Sequence, residues 1–116
     1  MRRIWAVAAV AATVWVAGLS GAGASGAIAY GGGRAGLSYN YRDRDSAEER
    51  ALAECGAGCR VVARYSSSCA AVATGRGVYG YAWREERRGA MRAALENCES
   101  RGGGACSVVT SGCDER

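Results

Sequence analysis

Six cysteines, Cys55, Cys59, Cys69, Cys98, Cys106 and Cys113, are the residues of this chain best suited to chemistry. Thiols in this number form disulfides, hold a metal or exchange electrons, and their spacing separates these uses. A tetrahedral zinc site draws on closely paired cysteines or on histidine. Here no Cys-x-x-Cys occurs and the chain has no His. The missing Cys-x-x-Cys also removes the usual redox-active dithiol motif. Disulfides are therefore expected, with a zinc site and a reactive dithiol as the lesser alternatives. No metal and no cofactor is expected.

Catalytic readings find little support. The absent His is the commonest general base, and the chain also lacks Lys, which excludes Schiff-base and Ser-Lys chemistry. Ser66, Ser67 and Ser68 then have no activating partner and read as a turn. Glu85 with Glu86, or Asp43 with Asp45, could serve a glycosidase as a carboxylate pair, but they stand among arginines, as solvated ion pairs do. The run Gly31–Gly33 lacks GxxxxGK[ST], and Gly102–Gly104 follows a helix rather than opening one, so neither is a phosphate loop. No catalytic residue is assigned.

The remaining candidates are aromatic. Tyr39 and Tyr41 are spaced to share one strand face, as are Tyr79, Tyr81 and Trp83. An exposed row of such rings stacks on sugars or anchors a protein partner. A buried row only fills a core that has no Phe and, after residue 19, three Leu: Leu37, Leu52 and Leu95. The poverty of that core favours filling, and the burial of Trp83 is the deciding observation.

The elements that must position these residues occur twice. Gly26 to Tyr30 recurs as Ala70 to Thr74, Leu37-Ser-Tyr39 as Tyr81-Ala-Trp83, Ala51 to Cys55 as Ala94 to Cys98, and Cys59 to Val62 as Cys106 to Val109. Repeat one is placed at 26–69 and repeat two at 70–113. In each, a short apolar strand, a glycine turn and a second strand precede a helix. Ser46 and Glu49 fit a capping box for the first helix, and Gly89 is the weaker expected N-cap of the second. Ala47, Ala51, Leu52 and Cys55 form one apolar helical stripe, and Ala90, Met91, Ala94, Leu95 and Cys98 the other. Gly56 and Gly58 end the first helix. Val61, Ala63 and Tyr65 then alternate as a strand, and Val108 and Val109 form the last strand.

The expected fold is α+β, with duplicated β-β-α-β units fused into one small disulfide-stapled domain with pseudo-twofold symmetry, as one mixed sheet or two half-sheets. Two repeats are too few for a solenoid. Six cysteines allow fifteen pairings; the repetition favours Cys55–Cys59 and Cys98–Cys106, leaving Cys69 and Cys113 for each other.

Residues 1–24 read as a secretory signal peptide. Arg2 and Arg3 precede an apolar run from Ile4 to Leu19, and Ala22-Gly23-Ala24 is a small-x-small cleavage site. Residues 25–116 form a single exported domain, secreted or held in the periplasm or cell envelope, with no stable membrane span after cleavage. Without Arg2 and Arg3, thirteen arginines face eleven acids, for a net charge of +2. Their interspersion is no nucleic-acid footprint.

The order of Gly-Ala-Ile-Ala-Tyr, Ser-Tyr-Asn-Tyr, Ala-x3-Ala-Leu-x2-Cys and Cys-x-Val-Val resembles the bacterial exported domain-of-unknown-function family numbered 4189, from Gly26 to Cys113. Where its members often carry Trp before the first Gly, this chain has Ser25. The resemblance implies export and a cysteine-bearing domain, and carries over no activity. The expected role is a binding or interaction module for an unknown protein or cell-envelope component, an enzyme inhibitor being a special case. A carboxylate-based glycan hydrolase and a structural envelope protein are the alternatives.

Overall fold

The computed structural model describes residues 24–114. The expected signal peptide, apart from Ala24, lies outside the described residues. The elements run β1 (Ser25–Gly31), β2 (Arg34–Tyr41), α1 (Arg44–Cys55), β3 (Arg60–Ser66), β4 (Cys69–Gly75), β5 (Val78–Arg84), α2 (Arg87–Ser100) and β6 (Ser107–Cys113). The order is β-β-α-β twice, in an α+β fold.

The strands form two separate antiparallel sheets, β2-β1-β3 and β5-β4-β6, rather than one mixed sheet. Strand alternation sets three apolar layers. On β1, Ala27 and Ala29 face Ala47, Ala51 and Cys55 of α1. On β4 and β5, Ala71, Ala73 and Ala82 face Ala90, Ala94 and Cys98 of α2. Ile28, Leu37, Ala63 and Tyr65 of the first sheet meet Ala70 and Val72 of the second. The molecule is thus a helix-sheet-sheet-helix sandwich, and each alanine stripe does lie against a sheet. Contacts between the units are reciprocal, as a pseudo-twofold requires: Tyr39 of β2 lies over Gly112 of β6, while Tyr65 of β3 stacks with Trp83 of β5.

Local chemistry explains the boundaries. Gly32 and Gly33 both have positive φ, at 56° and 80°, the backbone that a two-residue hairpin turn demands. Helix α1 starts at Arg44, two residues before Ser46, because Asp43 is its N-cap and its Oδ1 accepts the Ser46 backbone N–H at 2.7 Å. That bond, with the Ser46 hydroxyl, holds the Asp43 carboxyl below its usual range. Gly56 closes the helix by donating its N–H to Leu52 O at 2.9 Å. Helix α2 begins at Arg87 with Glu86 as its N-cap, and the Glu86 side chain makes no capping bond, so Gly89 sits within the first turn instead of capping it.

Three bulges change which residues share a face. The register steps from Ile28↔Ala63 to Ala29↔Val61, leaving Val62 as the extra residue; Val61 turns towards α1 and parts from Ala63 and Tyr65. Val109 is the equivalent extra residue of β6. The third bulge lies in β2, where Ser25↔Tyr41 gives way to Ala27↔Ser38 and Asn40 has φ 67°. β5 has no counterpart to it.

Ser38 joins the helix to the sheet in the first unit. Its buried Oγ accepts the Ala27 backbone N–H at 3.1 Å and donates to Ala47 O at 2.6 Å. The pseudo-equivalent position in β5 is Ala82, in the helix-facing cluster. Ser38→Ala leaves the buried Ala27 N–H without its Ser38 acceptor and removes the hydroxyl bond to Ala47 O, with an expected cost of about 1–2 kcal/mol. A urea midpoint unchanged in Ser38→Ala would show that the two bonds contribute nothing net.

Candidate functional site

All six cysteines are paired, as Cys55–Cys59, Cys98–Cys106 and Cys69–Cys113. Among the described residues no cysteine is free and no group of His, Cys, Asp and Glu could hold a metal. The thiols are spent on structure. Cys69 is the first residue of β4 and stands opposite Cys113, the last of β6; in the first unit that pair is Ser25 and Ser66. The repeat boundary drawn after Cys69 therefore falls one residue inside β4. Glu85 and Glu86 are exposed between β5 and α2.

The aromatic residues divide by environment. Tyr41 packs towards the α1 cluster because the Asn40 bulge reverses the alternation, so Tyr39 and Tyr41 do not share a face. Tyr79, Tyr81 and Trp83 do, since the β5 register is regular. Tyr79 is stacked on Tyr30 with ring centroids 3.9 Å apart, and the Arg101 guanidinium lies 5.2 Å from the Tyr79 ring centroid. Tyr79 and Tyr81 are half-buried and fill the space between the sheets. Trp83 remains 39% exposed and Tyr39 42%. These two rings occupy pseudo-equivalent positions, Trp83 opposite Ala70 of β4 and Tyr39 within the β2 bulge.

Each exposed ring heads a groove between an outer strand and a helix. Tyr81, Trp83 and Arg84 of β5 face Glu96, Asn97 and Ser100 of α2 across about 510 Å³. Tyr39 and Tyr41 of β2 face Arg50 and Glu54 of α1, with Thr110 and Ser111 of β6, across about 300 Å³. β5 is a sheet edge, and side chains take its outward backbone groups: Tyr81 N–H donates to Asn97 Oδ1 at 3.1 Å, Arg101 donates to Tyr79 O at 3.2 Å and Arg84 to Trp83 O at 2.7 Å. Such cover suppresses edge-to-edge pairing. Periodicity had singled out neither Asn97 nor Arg101. The signal available was the repeat itself, which sets Asn97 where the first unit has Glu54.

Residues 25–113 match the model of the family described as a domain of unknown function, DUF4189. The chain belongs to this family. No curated protein and no solved structure matches it. The disulfides of this DUF4189 chain accord with an oxidising, extracytoplasmic setting, and among the described residues no helix is long and apolar enough to cross a membrane.

Where the two units of the DUF4189 domain meet, one carboxylate takes a backbone donor from β2. Asp114 Oδ1 accepts the Asn40 N–H at 2.6 Å, and the Asp114 N–H donates to Ser68 O at 2.8 Å. Asn40 and Ser67 are the two non-glycine residues of positive φ among those described. Asp114 Oδ2 is buried with no hydrogen-bond partner, and desolvation raises the Asp114 pKa against the Asn40 bond. Nearby, the Tyr65 hydroxyl donates to Ser38 O at 2.7 Å. Burial, then the Asp114 and Tyr39 charges, push the Tyr65 phenol well above its usual value.

That shift has a definite sign. Stability from protonated Tyr65 is fully present below the unfolded pKa of about 10 and is lost as pH rises through the raised folded pKa. Tyr65→Phe, which cannot ionise, is expected to lack that part of the alkaline loss. Parallel stability-against-pH curves for the two proteins above about pH 10 would contradict the assignment.

Proposed function

We propose that the protein is an exported bacterial binding module that engages a cell-envelope or extracellular component through its ring-headed grooves. The observation that carries this reading is the exposure of Trp83 and Tyr39. A core this short of large apolar groups would gain by burying both rings, yet the same position is left open in both units. Exposed aromatic rings beside fixed polar groups are the usual anchors of recognition. The disulfides make the scaffold rigid, so little ordering cost is expected on binding.

The test is co-sedimentation of the oxidised chain with a bacterial envelope fraction. Trp83→Ala is expected to weaken retention about tenfold or more, and Trp83→Ala/Tyr39→Ala further, with the three disulfides intact by mass. Equal retention of the parent and both variants, or none at all for the parent, would remove this reading.

A further inference from the structure

We propose that the β5–α2 groove is a subsite for a neutral carbohydrate, with Trp83 as the stacking platform and Asn97 as the fixed hydrogen-bond donor; the inference rests on the binding reading above. Trp83 and Tyr81 hold their rings parallel within 4°, with centroids 6.3 Å apart. Tyr81 packs inward, with its hydroxyl on Val62 O, so Trp83, exposed and lining the groove, is the ring whose apolar surface the C–H face of a pyranose can pack against. The volume of about 510 Å³ lies within the range of small-ligand sites, roughly 300–1,000 Å³.

The polar side of the groove suits hydroxyl groups. The Asn97 Oδ1 is engaged by the Tyr81 N–H, which fixes the amide plane and leaves both Nδ2 hydrogens for a ligand. Ser100 bonds back to Asn97 O at 3.0 Å. Arg84, tied to Trp83 O, adds donors, and Glu96 is an acceptor. One cation and one anion leave the groove without a dominant sign, so a phosphate or a strongly charged peptide gains nothing from it. Addition of a peptide strand to β5 is opposed as well, because Asn97, Arg84 and Arg101 already take Tyr81 N–H, Trp83 O and Tyr79 O on its outward edge.

The first unit lacks these features. Positions equivalent to Ala93 and Asn97 hold Arg50 and Glu54, which form an ion pair at 2.5 Å beside the smaller groove. The duplication has produced one groove with an open amide and one lined by its own ion pair.

The chain has three tryptophans, Trp5, Trp15 and Trp83, so subtracting the emission of Trp83→Ala isolates the groove's own signal. The full oxidised chain is titrated with chitotetraose, cellotetraose and maltotetraose. At least one is expected to shift the Trp83 emission with Kd at or below about 1 mM. Asn97→Asp keeps an acceptor for the Tyr81 N–H but removes the amide donors, so affinity should fall about tenfold with circular dichroism and disulfides unchanged. Full affinity in Asn97→Asp, or no response to any of the three sugars, would overturn the assignment. Pretreating the envelope fraction with protease separates the two levels. If retention is abolished by protease and sugars have no effect, the ligand is a protein and only the carbohydrate assignment falls. If the untreated fraction retains nothing, both readings fall.

Discussion

Gly80→Val is expected to keep the second unit from closing, at a cost of about 3 kcal/mol or more. A Cβ at Gly80 would lie 2.7 Å from the carbonyl oxygen of Ala94 and closer still to the Cys98 amide nitrogen. Both are helix backbone atoms, so no side chain can rotate away. Gly36 meets α1 in the same manner, with the Cys55 nitrogen 2.7 Å from its hypothetical Cβ and the Ala51 oxygen nearer, and Gly36→Val should act alike. The reason lies in the core. Helices that bury Ala47 and Ala51, or Ala90 and Ala94, lie close on strands that face them with alanine and glycine, and at Gly36 and Gly80 the helix backbone leaves no room for a Cβ. Gly89→Ala is the contrast: it sits in α2 with only ordinary contacts of 3.6 Å or more to Arg84, and alanine should stabilise the helix by about 0.5–1 kcal/mol. Urea melts of the three variants check the set; a Gly80→Val protein as stable as the parent would refute the close-packing account.

Removing Cys69–Cys113 should cost more than removing either local bridge. Its partners are 44 residues apart, against 4 for Cys55–Cys59 and 8 for Cys98–Cys106. In the chain-entropy account, closing the long loop contributes about 4 kcal/mol and the short ones about 2–2.5 kcal/mol each. For a small domain, whose whole stability is about 5–15 kcal/mol, loss of the long bridge takes much of the margin. It also frees β6 from β4 at the end where Asp114 holds Asn40, so the loss should reach the first unit. Denaturation of Cys69→Ala/Cys113→Ala beside Cys55→Ala/Cys59→Ala measures the ranking. A larger loss in the second pair would mean that native-state strain or residual unfolded structure outweighs loop entropy.

Much of this architecture is legible in the sequence because the chain states it twice. The duplicated spacing of alanine and cysteine gives the two helices, the β-β-α-β order and the two local cysteine pairs, since all these depend on residues near one another. Asp43 shows the limit at helix ends. Ser46-x-x-Glu49 has the capping pattern, but the carboxylate three residues earlier captures the Ser46 N–H and starts the helix sooner. The grooves were only half visible. Trp83 and Tyr39 stood out by residue type, while Asn97 and Arg101 reach β5 from another element, and no local period records that.

The sequence by itself determined the α+β class, the repeat, the stapling by six cysteines and the family, all of which rest on composition and on local or repeated patterns. The tertiary structure decided the rest. It placed the strands in two sheets rather than one, because strand pairing is a long-range choice. It separated Tyr41 from Tyr39 and Val61 from Ala63, because a single extra residue in a bulge reverses every side chain beyond it. It also left Trp83 and Tyr39 open to solvent while Tyr79 and Tyr81 pack inward, because exposure depends on which neighbours the two facing sheets bring to each ring.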